Sequence, residues 1–254
     1  GDANEIVDGD TQIACDLLAM SGGWSPAIHL HSQSGGKSHW DSELSCFLPD
    51  EHSQLNCSAG AGRGKWSLSA CLMDGLSSGL EAAVRCGFES PDIGVPTSVD
   101  HQENPIESLW RVPATQDIDQ CAKQFLDFQN DTSVADVRQA VREGYQNVEH
   151  VKRYTALGFG TDQGKLGNIN GMAVLAMALG EPIENIGTTT FRPCYTPTTF
   201  GAIAGDGVKQ LFDPVRKTPI HDWHEAVNAP MEVVGQWLRP WYFPRNDEPQ
   251  HKSV

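Results

Sequence analysis

The stretch from Ser133 to Gly187 constrains the fold more than any other part of the chain, because helix start and stop signals punctuate it at short intervals. Ser133 with Asp136 three residues on makes a capping-box-like start, and Val134, Val137, Ala140 and Val141 form one apolar face that ends at Gly144. Asn147 stands where it can cap a second helix, with Val148, Val151 and Tyr154 inward and Gly158 as its stop. A third helix is predicted over 169–179, halting at Gly180, and Pro182 suits the first turn of a fourth. Helices this short are marginal alone in water, so they predict a small bundle in which each covers the others.

Upstream, the run of Cys15, Leu17, Leu18 and Met20, ended by Ser21, Gly22 and Gly23, reads as a buried parallel strand feeding a turn. Between 65 and 87, Leu68, Cys71, Leu72, Gly75, Leu76, Gly79, Ala82 and Ala83 recur at three and four, and Gly87 stands at a C-cap position. An amphipathic helix is expected there. The Ser-, His- and Trp-rich segment 35–54 reads as a hairpin or a long loop, and periodicity does not choose. Pro91, Pro96, Pro105 and Pro113 mark a domain boundary or an extended connection. Beyond Gly187 the chain is rich in proline (197, 214, 219, 230, 240 and 244) and carries Trp223, Trp237 and Trp241. It reads as irregular but apolar, either wrapped over other domains or entering a further one.

Eighteen Lys and Arg against 33 Asp and Glu give a net charge of -15, which repels phosphate backbones and anionic lipid surfaces. Nucleic acid and membrane are therefore not expected as partners. Seven cysteines, with no CxxC or CxC pair, argue against a disulfide scaffold or a zinc ribbon and point to a reducing cytoplasm. No run approaches the roughly 20 apolar residues of a membrane span. The acidic start without Met suggests a chain cut from something longer.

Gly60, Gly62 and Gly64 precede the helix expected at 65–87, but their spacing is GxGxG rather than GxGxxG, so they are a poor primary dinucleotide fingerprint. Paired with the strand that ends at Gly22 and Gly23, they instead suit the closing part of a two-dinucleotide oxidoreductase fold. Plain helix–sheet packing that requires glycine remains the alternative. His221 and His224 are three apart with no third ligand of matching context, which favours hydrogen-bonded histidines over a metal site, and Pro219 argues against an established helix there. Thr188, Thr189, Thr190 and Arg192 supply hydroxyls and a guanidinium suited to a flavin phosphate or a carboxylate, with Lys165 as a further positive charge. The bland alternative is a turn with a surface Arg and Lys. Serine hydrolase, phosphate-loop and zincin motifs are missing.

The stretch from Val148 to Thr155, followed by GFGTDQGK over 158–165, resembles the helical domain of heterotetrameric sarcosine oxidase α subunits. Three further blocks agree in order and spacing: AMSGGW at 19–24 with His29, GTTTFRP at 187–193, and HDWH at 221–224 with WLRPWYFPR at 237–245. The resemblance implies an α/β chain. Its parts would be the C-terminal portion of a two-dinucleotide nucleotide-binding domain (1–112), a small helical domain (120–187), and a segment (188–254) leading into an aminomethyltransferase-like, folate-binding domain.

It also implies a cytoplasmic αβγδ assembly with NAD in α, FMN at the α/β interface, FAD in β and tetrahydrofolate as one-carbon acceptor. Sarcosine would be oxidised to glycine with release of hydrogen peroxide. On this resemblance Gly22, Gly23, Gly60 and Gly62 support NAD, while Lys165, Thr188 to Thr190 and Arg192 support FMN. No catalytic residue is expected, since amine oxidation belongs to β. Relatives of the helical domain hold a 2Fe-2S cluster through a CxC pair and a later cysteine pair. Alignment places Asp127, Gln129, Asp162 and Gly167 there, so no cluster is expected. An α subunit of another secondary-amine dehydrogenase, or a non-catalytic assembly module, shares all these motifs.

Overall fold

The computed structural model describes residues 11–19, 21–50, 52–99, 106–245 and 248–253, and the chain divides into two compact units after Pro197. In the first unit, helix α1 (His29–Gln33) leads into strands β1 (Ser38–Asp41) and β2 (Cys46–Pro49). These pair antiparallel with Trp40 opposite Phe47, so segment 35–54 is a hairpin. Helix α2 (Leu68–Arg85) starts at Ser67, whose hydroxyl accepts the Ala70 amide, and is followed by Gly87 at φ 85°.

After residues 86–99 and 106–124, which form no helix or strand, come β3 (Phe125–Asp127), β4 (Thr132–Ser133), α3 (Val134–Arg142), α4 (Val148–Thr155), α5 (Asn168–Leu179) and α6 (Ile183–Ile186). The capping box is present: the Ser133 hydroxyl accepts the Asp136 amide at 3.4 Å, and the Asp136 carboxylate accepts the Ser133 amide at 2.8 Å. Asn147 caps α4 through its side-chain oxygen, 2.9 Å from the Glu149 amide. The Thr132 hydroxyl donates to the Thr155 carbonyl at 2.7 Å and ties β4 to the end of α4.

Helix α5 lies at the centre, with every residue from Gly171 to Ala176 buried, as a helix apolar on all sides should be. Val134, Val137, Val148, Val151, Leu157 and Leu175 share its core with Ile118, Ile28 and Phe47. Gly171 permits this packing, because a Cβ there would lie 2.4 Å from the Leu157 side chain.

Several expectations need correction. Residues 11–19 form no strand, and Leu17 and Leu18 are 83% and 73% exposed; Met20 lies outside the described residues. A buried parallel strand needs neighbours at its edges, and among the described residues of this unit the strands pair only as two antiparallel couples. Helix α2 forms as predicted, yet none of its residues is buried, and Leu68, Met73 and Val84 face outward. Tyr154 is half exposed rather than inward: its ring stacks on Tyr145 with centroids 4.7 Å apart, and its hydroxyl donates to Glu143. Ala156, at φ 61°, ends α4 ahead of Gly158. Pro182 is the extended residue before α6 rather than part of its first turn.

The second unit is more regular than expected. It contains α7 (Phe200–Ala204), β5 (Arg216–Lys217), α8 (His221–Ala226), β6 (Met231–Val234) and β7 (Trp237–Pro240), the strands in the order β5-β7-β6. Val234 pairs with Trp237 across Gly235 and Gln236, with Gly235 at φ 60°, a two-residue turn that a non-glycine residue would strain. Pro230 and Pro240 fall at strand ends, where a missing N–H costs no ladder bond. Pro219 does not prevent α8, which begins two residues later and buries His221 and His224. The His221 ring bonds Glu225 at 3.0 Å, as expected of a hydrogen-bonded histidine. No described helix is long and apolar enough to cross a membrane.

Ser133→Ala removes the cap of α3 and should cost about 1 kcal/mol, read as a lower urea midpoint with an unchanged slope.

Candidate functional site

Two loops meet where β3 ends and α5 begins. The Asp127 carboxylate, 4% exposed, accepts the Gly158 amide at 2.7 Å and those of Gln129 and Asn130 at 2.8 and 3.1 Å. Gln129 reaches across: its amide nitrogen donates to the Thr161 hydroxyl at 3.2 Å, and its oxygen accepts the Asp162 amide at 3.3 Å. Asp162 in turn accepts the Gly164 amide at 3.1 Å. A Cβ on Gly160 would fall 1.8 Å from the Gln129 oxygen, and one on Gly167 would fall 2.3 Å from the Leu126 carbonyl. Glycine is what lets these loops close.

Asp127, Gln129, Asp162 and Gly167 are therefore brought to one junction, where hydrogen bonds join the loops. These residues do not fit an iron–sulfur cluster. They offer carboxylates, a carboxamide and a hydrogen where thiolates are needed, and the Gln129 side chain sits between the loops. Among the described residues, no group of three or more His, Cys, Asp or Glu is placed to hold a metal.

Burial pushes the Asp127 acid upward, but the amides of Gly158, Asn130 and Gln129 outweigh it and hold the group below its ordinary value of 3.8. A depressed folded-state value means that the stabilisation is present above the unfolded-state pKa and is lost as pH falls through the folded one.

The flavin candidates do not form one cluster; they are spread over three places. Thr189 is buried, and its hydroxyl accepts the Asn168 side-chain amide at 3.0 Å, while the Thr190 backbone amide donates to Glu149 at 2.5 Å. Thr188, Thr189 and Thr190 line a cleft of about 640 Å³ with Trp40, Phe47 and Lys37. Arg192 lines a different cleft of about 240 Å³ beside α4. Lys165 donates to the Tyr195 carbonyl at 3.0 Å and lies 4.5 Å from the centre of that ring, which stacks on His29 at 4.1 Å. Burial, then the Lys165 charge, pushes the His29 pKa down and favours a neutral imidazole. Trp40, Phe47, Glu149 and Lys152 line these clefts and were not singled out from the sequence. The first two belong to a segment whose periodicity did not choose between hairpin and loop, and the others fall inside the 148–155 block without a role of their own.

The glycine turn is a short 3-10 helix, Gly60–Arg63. The Gly60 amide donates to Asp74 on α2 at 2.7 Å, and Arg63 pairs with the same carboxylate at 2.9 Å. A carboxylate of the chain itself thus holds the amide that a pyrophosphate would seek. The close approach belongs to Gly64 at φ 74°, where a Cβ would lie 2.8 Å from Leu48 and 2.9 Å from Leu44. Gly22, Gly23 and Gly62 have open space around them, so no packing explains those glycines.

The fold is shared with a solved structure described as an L-proline dehydrogenase from P. horikoshii, at TM-score 0.53 and 19% identity over 72% of this chain and 38% of that one. Residues 121–206 match the family described as the Sarcosine oxidase A3 domain. The chain is 41% identical over 245 residues to sarcosine oxidase subunit alpha of Corynebacterium sp. (strain P-1), covering 94% of this chain and 25% of that protein. It is 44% identical over 241 residues to the Rhizobium meliloti (strain 1021) subunit, covering 93% and 24%. The Corynebacterium sp. (strain U-96) subunit is 41% identical over 244 residues, covering 94% and 25%. This chain is a homologue of sarcosine oxidase α subunits along nearly its whole length, and it spans about a quarter of theirs.

Asp127→Asn replaces an acceptor-only carboxylate with an uncharged amide and should cost about 2 kcal/mol at neutral pH, with a shallower acid-unfolding limb. Superimposable acid titrations of the two proteins would contradict the loop junction. Iron and acid-labile sulfide assays of the purified chain should both be blank.

Proposed function

We propose that this chain works as part of the α subunit of a heterotetrameric sarcosine oxidase that converts sarcosine to glycine with hydrogen peroxide as by-product, the one-carbon unit passing to tetrahydrofolate. The observation that carries this reading is the 41–44% identity to three sarcosine oxidase α subunits over about 94% of the chain. On this reading 1–112 is part of an NAD-binding domain, 120–187 the cysteine-free helical domain, and 188–254 the approach to the folate-binding domain. The partners are β, γ and δ subunits in the cytoplasm, with FAD in β.

FMN at the α/β interface would supply the redox chemistry when bound. This chain would bind and orient it, through Arg192 at a phosphate, the Thr188 to Thr190 segment along the cleft shared with Trp40, and Lys165 from its place beside Tyr195. NAD would be supported at Gly22, Gly23 and Gly62, and at Gly60 once Asp74 releases its amide. The uncovered apolar residues of α2 favour a role in assembly alongside cofactor support.

In the assembled complex, Arg192→Ala should lower bound FMN and sarcosine turnover together. Unchanged FMN content with normal turnover would overturn the role of Arg192. Failure of the unaltered complex to oxidise sarcosine would overturn the functional reading as a whole.

A further inference from the structure

The smaller cleft beside α4 has an unusual charge balance. Lys152, Arg153 and Arg192 line it against a single carboxylate, Glu149. That carboxylate is already engaged, by Arg153 at 2.7 Å and by the Thr190 amide. Among the described residues, Lys152 and Arg192 form no direct ion pair, and Glu149 acts on Lys152 only without contact. Lys152 is half-buried, with its ammonium 5.7 Å from the centre of the Phe159 ring, and Arg192 stands close enough to act on it electrostatically.

Three cations gathered around one shared carboxylate, with Lys152 partly stripped of water, form an arrangement that a further anion relieves. We propose that Lys152 and Arg192 bind a small oxyanion, the phosphate-ester or carboxylate group of a ligand, in the cleft they form with Phe159 and Gln163. The guanidinium supplies a planar two-pronged donor, the ammonium a point charge, and Phe159 and Gln163 the walls. A volume of about 240 Å³ lies below the usual range for a whole drug-sized ligand, so the cleft suits one charged group rather than an entire nucleotide. Burial pushes the Lys152 pKa down despite Glu149, and Arg153 and Arg192 push it the same way; a bound anion reverses that push.

This inference takes Arg192 from the functional reading and pairs it with Lys152 in place of Lys165. Calorimetric titration of the full chain with inorganic phosphate, and separately with acetate, at ionic strength fixed by chloride, tests it. Saturable binding of either anion is expected, weakened about tenfold by Arg192→Gln and by Lys152→Gln and unchanged by Arg85→Gln on α2. Arg192 is exposed with no ion-pair partner, so Arg192→Gln still reports on the cleft if Lys152→Gln fails to fold. No saturable heat with either anion, or variants that titrate like the parent, would overturn the inference. So would loss of a partner subunit in the variants without anion binding by the parent, which would assign the cations to an acidic side chain of that partner. Normal phosphate binding by Arg192→Gln beside FMN loss from the Arg192→Ala complex would sink this inference alone.

Discussion

The buried carboxylate of Asp127 is the contact on which the helical part of the first unit depends. It satisfies amides of its own loop and, through Gly158, fixes where the segment between α4 and α5 must run. From that anchor follow the close approach of Gly160 to Gln129, the seat of Gly167 against Leu126, and the start of α5 at Asn168. Asn168 passes the constraint on, since its side-chain amide holds the Thr189 hydroxyl and so positions the threonine segment. One carboxylate is thereby linked through two residues to the cleft proposed for the flavin. A buried charge is costly unless its hydrogen bonds are satisfied, and here each carboxylate oxygen has donors.

The same segment places opposite charges with economy. Glu149, on the first turn of α4, binds Arg153 one turn on and the Thr190 amide across the unit, so one carboxylate is shared among Arg153, Lys152 and Arg192. In a chain of net charge -15, such a local excess of positive charge stands out. The cleft is positioned by α4 on one side and by the chain after α6 on the other, and both are held by the core around α5.

Much of the bundle was legible in the sequence, because capping chemistry is local. Ser133 with Asp136, Asn147 and Gly180 act within a few residues of themselves, and each helix formed where those signals placed it. What was not legible depended on distant partners. The Cys15 to Met20 run has the composition of a strand but lacks a neighbour to pair with, and Tyr154 followed the helical period yet found Tyr145 and Glu143 outside the core. In the second unit the density of prolines masked a sheet whose strands simply have their prolines at the ends. The candidate site was legible by residue type alone: Thr189 and Arg192 are three positions apart in sequence, but Asn168 draws one inward while the other turns to α4. The junction of Asp127 with Gly158, 31 residues apart, was foreshadowed only by the departure from cysteine at Asp127, Gln129, Asp162 and Gly167.

The central claim is that hydrogen bonds centred on Asp127 lock the two loops together. Amide hydrogen exchange at Gly158, Gln129 and Asn130 tests it most directly, since these donors face the carboxylate in the folded chain. The account predicts protection at Gly158 comparable to that of the α5 core amides, lost only with unfolding of the unit. Exchange of Gly158 at the rate of an open loop, while α5 stays protected, would contradict it.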